Sequence, residues 1–132
     1  MRNAICVLVL LASRAWALDV KANNATSLPP SARFEIVQSS LLARLTFKLD
    51  KIEGKVWQLF EGQGKELGWL TMAVKDLPKI PAGSTSPRFQ IFASGMLAGS
   101  TFMLDTFTGQ VWVVKTFAPP AESVLYWEPM AK

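Results

Sequence analysis

The chain has 132 residues, half of them hydrophobic, with 14 basic and 10 acidic side chains. It contains no histidine and a single cysteine, Cys6, so Ser–His and Cys–His nucleophile pairs and the ordinary zinc, copper and haem ligand sets are excluded. Carboxylate pairs, lysine chemistry and oxygen-only metal sites remain open, and most enzyme classes are disfavoured.

The N-terminal residues have the three parts of a secretory signal peptide. Arg2 gives the charged start, residues 4–12 form an apolar stretch, and Ala15-Trp16-Ala17 is an A-x-A cleavage site. The apolar stretch is interrupted by Ser13-Arg14 and is far shorter than the ~20 residues of a membrane-spanning helix. We therefore expect residues 1–17 to be removed, leaving a secreted or periplasmic chain without a transmembrane segment.

The mature chain would start at Leu18 and would lack both disulfides and a strong charge. Cys6 lies in the removed part, and 12 basic against 10 acidic residues leave a net charge of +2. So small a bias gives no indication of a nucleic-acid partner. Residues 19–32 are polar, with Pro29-Pro30 near their end, so we expect residues 18–32 to form an extended leader before one domain over residues 33–132.

Two stretches of the chain, residues 33–57 and 88–112, are similar along their whole length. RFEIVQSSLLARLTFKLDKIEGKVW aligns without gaps to RFQIFASGMLAGSTFMLDTFTGQVW, with 13 identities in 25 positions. A weaker match follows between Trp69–Met72 and Trp127–Met130. We interpret this pattern as a tandem duplication.

The two repeats, residues 33–75 and 88–130, are each predicted to form three strands followed by a fourth, less clearly marked strand. Short β-branched or aromatic runs bounded by Gly, Ser and charged residues are typical of strands. The predicted strands are Arg33–Val37, Leu45–Leu49, Val56–Phe60, Trp69–Met72, Arg88–Phe92, Thr101–Leu104, Val111–Phe117 and Trp127–Met130. Residues 76–87, rich in Pro, Gly and Ser, form the predicted linker. The expected fold is all-β and antiparallel, a small barrel or sandwich of about eight strands.

A repeated LD-x-x-x-G stretch contains Asp50 and Gly54 in the first repeat and Asp105 and Gly109 in the second. An Asp carboxylate accepts hydrogen bonds from N–H groups a few residues later, and Gly adopts positive φ without a Cβ penalty. A calcium site needs about 6–8 converging oxygens, whereas each loop offers only one certain carboxylate. We therefore predict structural hairpin turns, with no metal and no cofactor.

Two turn geometries fit these hairpins. A three-residue loop would pair Leu49 with Trp57, whereas a four-residue loop would pair Leu49 with Val56. The first puts Phe47, Leu49, Trp57 and Leu59 on one face and gives a cleaner alternation of apolar and polar side chains, so it is preferred. In the second repeat the core-facing side chains would then be Phe102, Leu104, Trp112 and Val114, joined by Phe89 and Ile91.

The preferred register leaves an apolar outer face on the second repeat. Such a face is either covered by other parts of the chain or is a contact surface. The paired tryptophans Trp69 and Trp127 are a further candidate, as an aromatic platform. The candidate contact residues are Phe92, Met103, Val111, Val113, Trp69 and Trp127, and no catalytic residue is predicted.

The stretch LDTFTGQVW, followed by WEPM, resembles a motif of small, largely uncharacterised secreted bacterial proteins that carry LDTxTGxVW and a terminal W-x-P. This resemblance implies a structural signature and no activity. The stretch is also weakly similar to the blade motif of quinoprotein-type β-propellers, in which the Trp typically lies one residue further along. Two copies are too few to close a propeller of four or more blades within one chain.

The preferred function is a secreted, non-enzymatic binding or interaction module, such as an envelope accessory protein or an enzyme inhibitor, with a protein partner or self-association. One alternative is a carrier that holds a small ligand in an apolar barrel interior. Another is a carboxylate-type hydrolase, which needs two carboxylates roughly 5–10 Å apart in a cleft.

Overall fold

The computed structural model describes residues 28–41, 45–95, 98–117 and 125–131, so the expected signal peptide and most of the expected leader lie outside the described residues. Strands account for 46% of the described residues, which confirms the all-β class. The strands are β1 (Phe34–Gln38), β2 (Thr46–Asp50), β3 (Val56–Glu61), β4 (Leu67–Thr71), β5 (Ala73–Val74), β6 (Phe89–Phe92), β7 (Phe102–Asp105), β8 (Val111–Thr116) and β9 (Leu125–Pro129). A single turn of 3₁₀ helix, Ala98–Ser100, precedes β7.

The strands form two separate sheets. The first has the order β1-β2-β3-β4, and the second has the order β5-β9-β8-β7-β6. All neighbours are antiparallel except β5, which runs parallel to β9. Within the described residues each sheet keeps two edge strands, so neither sheet closes into a barrel.

Each predicted strand corresponds to an observed one, with bounds that differ by at most two residues. The additional strand, β5, is short and directly precedes the predicted linker, which itself contains no strand. The strand β5 leaves the end of the first sheet and joins the edge of the second. A pattern of two residues carries no period from which this pairing could have been predicted.

One apolar core lies between the two sheets. The ring centroids of Phe47 in β2 and Trp127 in β9 are 5.8 Å apart in an edge-to-face arrangement, which joins the sheets directly. The core side chains are Leu45, Phe47, Leu49, Val56, Met72, Phe89, Ile91, Met103, Trp112, Val114, Leu125 and Trp127.

The preferred hairpin register is wrong in both segments. Leu49 pairs with Val56 and Leu104 pairs with Val111, as in the four-residue alternative. The turn closes through hydrogen bonds from the Asp50 N–H to the Lys55 carbonyl, 2.9 Å, and from the Gly54 N–H to the Asp50 carbonyl, 2.8 Å. Because a shift of one residue exchanges the two faces of a strand, Trp57 lies on the opposite face from Leu49.

The two sheets consequently use opposite faces of matching strands to build the core. The first sheet turns Phe47, Leu49 and Val56 inward, and all three are fully buried. Their sequence matches in the second sheet lie on its outer face; these are Phe102, Leu104 and Val111. The second sheet instead turns the other face inward, with Phe89, Met103 and Trp112 fully buried.

Candidate contact surface

The second LD-x-x-x-G hairpin is held by its aspartate. The Asp105 carboxylate accepts hydrogen bonds from the Phe107 N–H, 3.0 Å, the Thr108 hydroxyl, 2.7 Å, and Nε of Arg88, 2.9 Å. Burial alone would raise the pKa of the Asp105 carboxyl, but these bonds outweigh it and hold the pKa at about 2. Gly109 has a φ of 73°, in the left-handed region, and its N–H donates to the Asp105 carbonyl at 2.8 Å.

The first hairpin repeats this arrangement with different side chains. The Asp50 carboxylate accepts hydrogen bonds from the N–H groups of Ile52 and Glu53, both 3.0 Å, and from the Arg33 guanidinium, 2.8–2.9 Å. Burial opposes the ionised form, but the bonds from Arg33 and the turn amides still lower the pKa of the Asp50 carboxyl. Gly54 has a φ of 72°, in the left-handed region.

The two arginines that bind these carboxylates were not predicted as partners. Each precedes its aspartate by 17 residues and occupies the first position of its segment. In strand pairing, this position lies next to the aspartate, since Phe34 pairs with Asp50 and Phe89 with Asp105. The equal spacing of Arg and Asp in both segments was the sequence signal that could have identified these ion pairs.

Neither hairpin carboxylate is available for acid–base chemistry. Asp50 and Asp105 are both almost completely buried, and each already accepts bonds from an arginine and from its own turn. Across the ranges that the structure describes, no group of three or more His, Cys, Asp or Glu side chains is placed to hold a metal ion. The arrangement of these carboxylates is that of a structural clamp.

The space between the sheets is filled by side chains. Phe47, Met103, Trp112 and Trp127 are all fully buried there, and they are among the largest side chains of the core. Close packing of this kind excludes water and leaves room for a ligand only if side chains move. The described part of the core therefore gives no support to a ligand-carrying interior.

The structure separates the six candidate contact residues. Met103 and Trp127 are fully buried on the inner face of the second sheet, so they belong to the core. Phe92, with 54% of its surface exposed, lies with Val111 and Val113 on the outer face of the second sheet, where Val111 is half-buried and Val113 is only 8% exposed. The remaining residue, Trp69, is 36% exposed and lies on the first sheet, as described below.

The second-sheet outer face is apolar across β7 and β8, with Gln90 beside Leu104 and Glu128 beside Val113 as its polar neighbours. Phe92 pairs with Phe102, Phe102 pairs with Val113, and Leu104 pairs with Val111, so these side chains form adjacent rows across β6, β7 and β8. Phe102 and Val111 also line an apolar depression of about 290 Å³ beside Met130. We define the second-sheet outer face by Phe92, Phe102, Leu104, Val111 and Val113.

The first-sheet outer face is apolar with one charge at its centre. Ile36 is 62% exposed, and it pairs with Lys48, which pairs with Trp57. The Lys48 ammonium lies 4.5 Å from the Trp57 ring centroid and 5.1 Å from that of Trp69, so its charge rests on aromatic faces. The first-sheet outer face comprises Phe34, Ile36, Lys48, Trp57, Leu59 and Trp69.

The first-sheet outer face was not predicted because the preferred register placed Trp57 and Leu59 in the core.

The comparisons with known proteins give no match to a family model, a curated protein or a solved structure. Within the described ranges, the chain forms no helix that is long and apolar enough to cross a membrane.

Proposed function

We propose that this protein is a secreted, non-enzymatic interaction module that binds protein through the outer faces of its two sheets. The observation that carries the proposal is the exposure of large apolar side chains on both faces, with Ile36 at 62% and Phe92 at 54%. Contiguous exposed apolar patches on soluble proteins mark sites of contact. Trp57 and Trp69 add the aromatic surface that interface centres favour.

The chemistry of the polar residues supports the same proposal. The buried carboxylates Asp50 and Asp105 are paired with Arg33 and Arg88 in structural turns. The core between the sheets is packed with aromatic and aliphatic side chains. A carboxylate-type hydrolase and a small-ligand carrier therefore have less support than an interaction module.

A tandem duplication that packs as a two-sheet sandwich accounts for the repeated sequence. The pairings of Phe34 with Asp50 and Leu49 with Val56 recur as Phe89 with Asp105 and Leu104 with Val111. Duplication of one four-stranded unit would give two apolar sheets, each able to cover one face of the other.

Export of the protein follows from the signal peptide predicted at residues 1–17. The compartment would be extracellular or periplasmic, and the module could act there as an envelope accessory protein or an enzyme inhibitor. Sequencing the N-terminus of the exported protein should give Leu18 as the first residue. An N-terminus at Met1 on the exported protein would contradict this part of the proposal.

Site-specific crosslinking tests the interaction itself. A photo-crosslinking phenylalanine derivative is placed at Phe92 or at Trp69 in the producing cell, with Leu41 as the control because it is 68% exposed and lies outside both faces. We expect covalent protein adducts from Phe92 and Trp69 and none from Leu41. Mass spectrometry then identifies the adduct. Absence of adducts at both test positions would refute an interaction through these faces.

A further inference from the structure

The internal packing of the chain shows which face of one sheet fits which face of another. The face of the first sheet that carries Phe47, Leu49 and Val56 packs on the face of the second sheet that carries Phe89 and Trp112. We name these the type-1 face and the type-2 face. One chain thus contains one buried contact between a type-1 face and a type-2 face.

Both face types occur a second time on the outside of the molecule. The second-sheet outer face is of type 1, because Phe102, Leu104 and Val111 match Phe47, Leu49 and Val56 in sequence and register. The first-sheet outer face is of type 2, because Phe34, Ile36, Trp57 and Trp69 match Phe89, Ile91, Trp112 and Trp127. Each chain therefore exposes one half of its internal contact at one end and the other half at the opposite end.

The sheet edges show the same incomplete pattern. In the second sheet, β5 covers the edge of β9, with Val74 opposite Trp127 and the Lys75 N–H bonded to the Trp127 carbonyl at 3.0 Å. The Trp112 indole N–H donates to the Lys75 carbonyl, 2.7 Å. In the first sheet, the matching strand β4 is an edge strand among the described residues.

The residues that leave each sheet are also alike. Met72-Ala73 follows β4 and Met130-Ala131 follows β9. The N–H of Met72 donates to the Val56 carbonyl and the N–H of Met130 to the Val111 carbonyl, both at 2.9 Å. The chain therefore leaves β9 in the same direction, relative to its sheet, as it leaves β4 on the way to β5.

The tips of the two hairpins differ in burial, as expected if the second hairpin lacks a neighbouring sheet that the first one has. Ile52 is 7% exposed, whereas Phe107, which matches it, is 66% exposed. A Cβ on Gly54 would lie 2.8 Å from Leu77 and 2.9 Å from Phe89, whereas a Cβ on Gly109 would meet nothing within 4 Å. The first hairpin is covered by the sheet that follows it, and the second is open.

We propose that copies of this chain associate head to tail, with the second-sheet outer face of one copy packed on the first-sheet outer face of the next. The contact repeats the geometry of the internal one, and the Met130-Ala131 segment of the first copy lies beside β4 of the second. The proposal rests on the proposed function, since it names the partner of the same faces. Because such a contact joins two different surfaces, it generates rings when the rotation closes and filaments when it does not.

Two charged residues depart from the internal contact. Glu128 on the second-sheet outer face stands where the first sheet has Leu70, and Lys48 on the first-sheet outer face stands where the second sheet has the fully buried Met103. Burying an ammonium group in an apolar contact opposes association. Its aliphatic stem can still lie along the apolar face while the charge stays on the rings of Trp57 and Trp69. Lys48 therefore makes the intermolecular contact weaker than the internal one, and Lys48→Met should strengthen it.

A complementation experiment distinguishes a head-to-tail contact from every other arrangement. Ile36→Asp disrupts only the first-sheet outer face, and Phe92→Asp disrupts only the second-sheet outer face. Sedimentation of the purified mature protein over a range of concentrations should show self-association of the wild type and a loss of at least about tenfold in affinity for each variant. An equimolar mixture of the two variants should form a dimer of twice the monomer mass that grows no further, because each variant retains one intact and complementary face.

Leu41→Asp changes a side chain of similar exposure outside both faces and should associate like the wild type, and circular dichroism should confirm that all variants are folded. Lys48→Met should increase the affinity about tenfold or more, which tests the contact without any risk to folding from a buried charge. A wild type that stays monomeric, or a mixture without recovery, overturns the head-to-tail proposal. Crosslinks from Phe92 to a different protein would, in that case, leave the proposed function intact.

Discussion

The hairpins at residues 50–54 and 105–109 have the same backbone and different surroundings. In both, the Asp N–H donates to the carbonyl five residues later, 2.9 Å, and the Gly N–H donates to the Asp carbonyl, 2.8 Å. The first tip is covered, with Ile52 buried, while the second tip exposes Phe107. The ion pairs show the opposite order, since the Arg33 side chain is 46% exposed and that of Arg88 is 12% exposed.

This difference separates what the local sequence determines from what the tertiary contacts add. The turn does not depend on its three middle residues, since Lys51-Ile52-Glu53 and Thr106-Phe107-Thr108 form the same loop. The contribution of each residue to the free energy of unfolding depends on how far neighbouring side chains bury it. Matched substitutions in the two segments should therefore have unequal effects, and the inequality is the quantity to measure.

The largest difference is expected between Phe89→Ala and Phe34→Ala. Phe89 is fully buried between the sheets, so its truncation leaves a cavity and should lower the free energy of unfolding by about 4 kcal/mol. Phe34 is 50% exposed, so its loss should change the free energy by less than about 1 kcal/mol. Urea denaturation of the two variants measures both values. Equal losses would contradict the assignment of Phe89 to the inner face.

A second difference is expected between the two aspartates. Asp105→Ala leaves the mostly buried Arg88 guanidinium without its partner and should cost about 3 kcal/mol. Asp50→Ala leaves Arg33, which is more exposed and keeps its bond to Glu53, 2.7 Å, so the loss should be smaller. Thermal unfolding of both variants gives the comparison. A larger loss for Asp50→Ala would show that the turn amides matter more than the ion pair.

Much of the fold could be predicted because strands and turns are local. The Asp and Gly positions, the strand bounds and the all-β class depend on short patterns of side chains. The register could not be predicted from alternation alone, because Trp57 and Val56 are both apolar and either can face inward. The Arg88–Asp105 pair joins β6 to β7, and β5 joins one sheet to the other, so both depend on contacts between distant residues that a single segment does not encode.

The turn glycines provide a third comparison. Gly54→Ala and Gly109→Ala both place a side chain at positive φ, which costs about 1 kcal/mol or more. At Gly54 the new Cβ would also meet Leu77 and the Phe89 ring at 2.8–2.9 Å, which adds about 1–2 kcal/mol of overpacking. At Gly109 there is no such neighbour. Differential scanning calorimetry should therefore give the lower melting temperature for Gly54→Ala. Equal melting temperatures would show that Leu77 and Phe89 move aside to accommodate the new Cβ.

A last effect is expected in the dependence of stability on acid pH. The Asp105 carboxyl has a pKa of about 2 in the folded chain against 3.8 for the ordinary carboxyl, so the unfolded chain binds the proton more readily. The resulting stabilisation, about 2 kcal/mol, is complete well above pH 3.8 and is lost as the pH falls toward 2. Unfolding free energies measured between pH 2 and pH 6 should fall at the acid end for the wild type. The fall should be about 2 kcal/mol smaller for Asp105→Asn, which has no proton to bind. Parallel curves for the two proteins would show that other carboxylates cause the whole fall in stability at acid pH. Asp50 would then be the first candidate, because its pKa is also lowered.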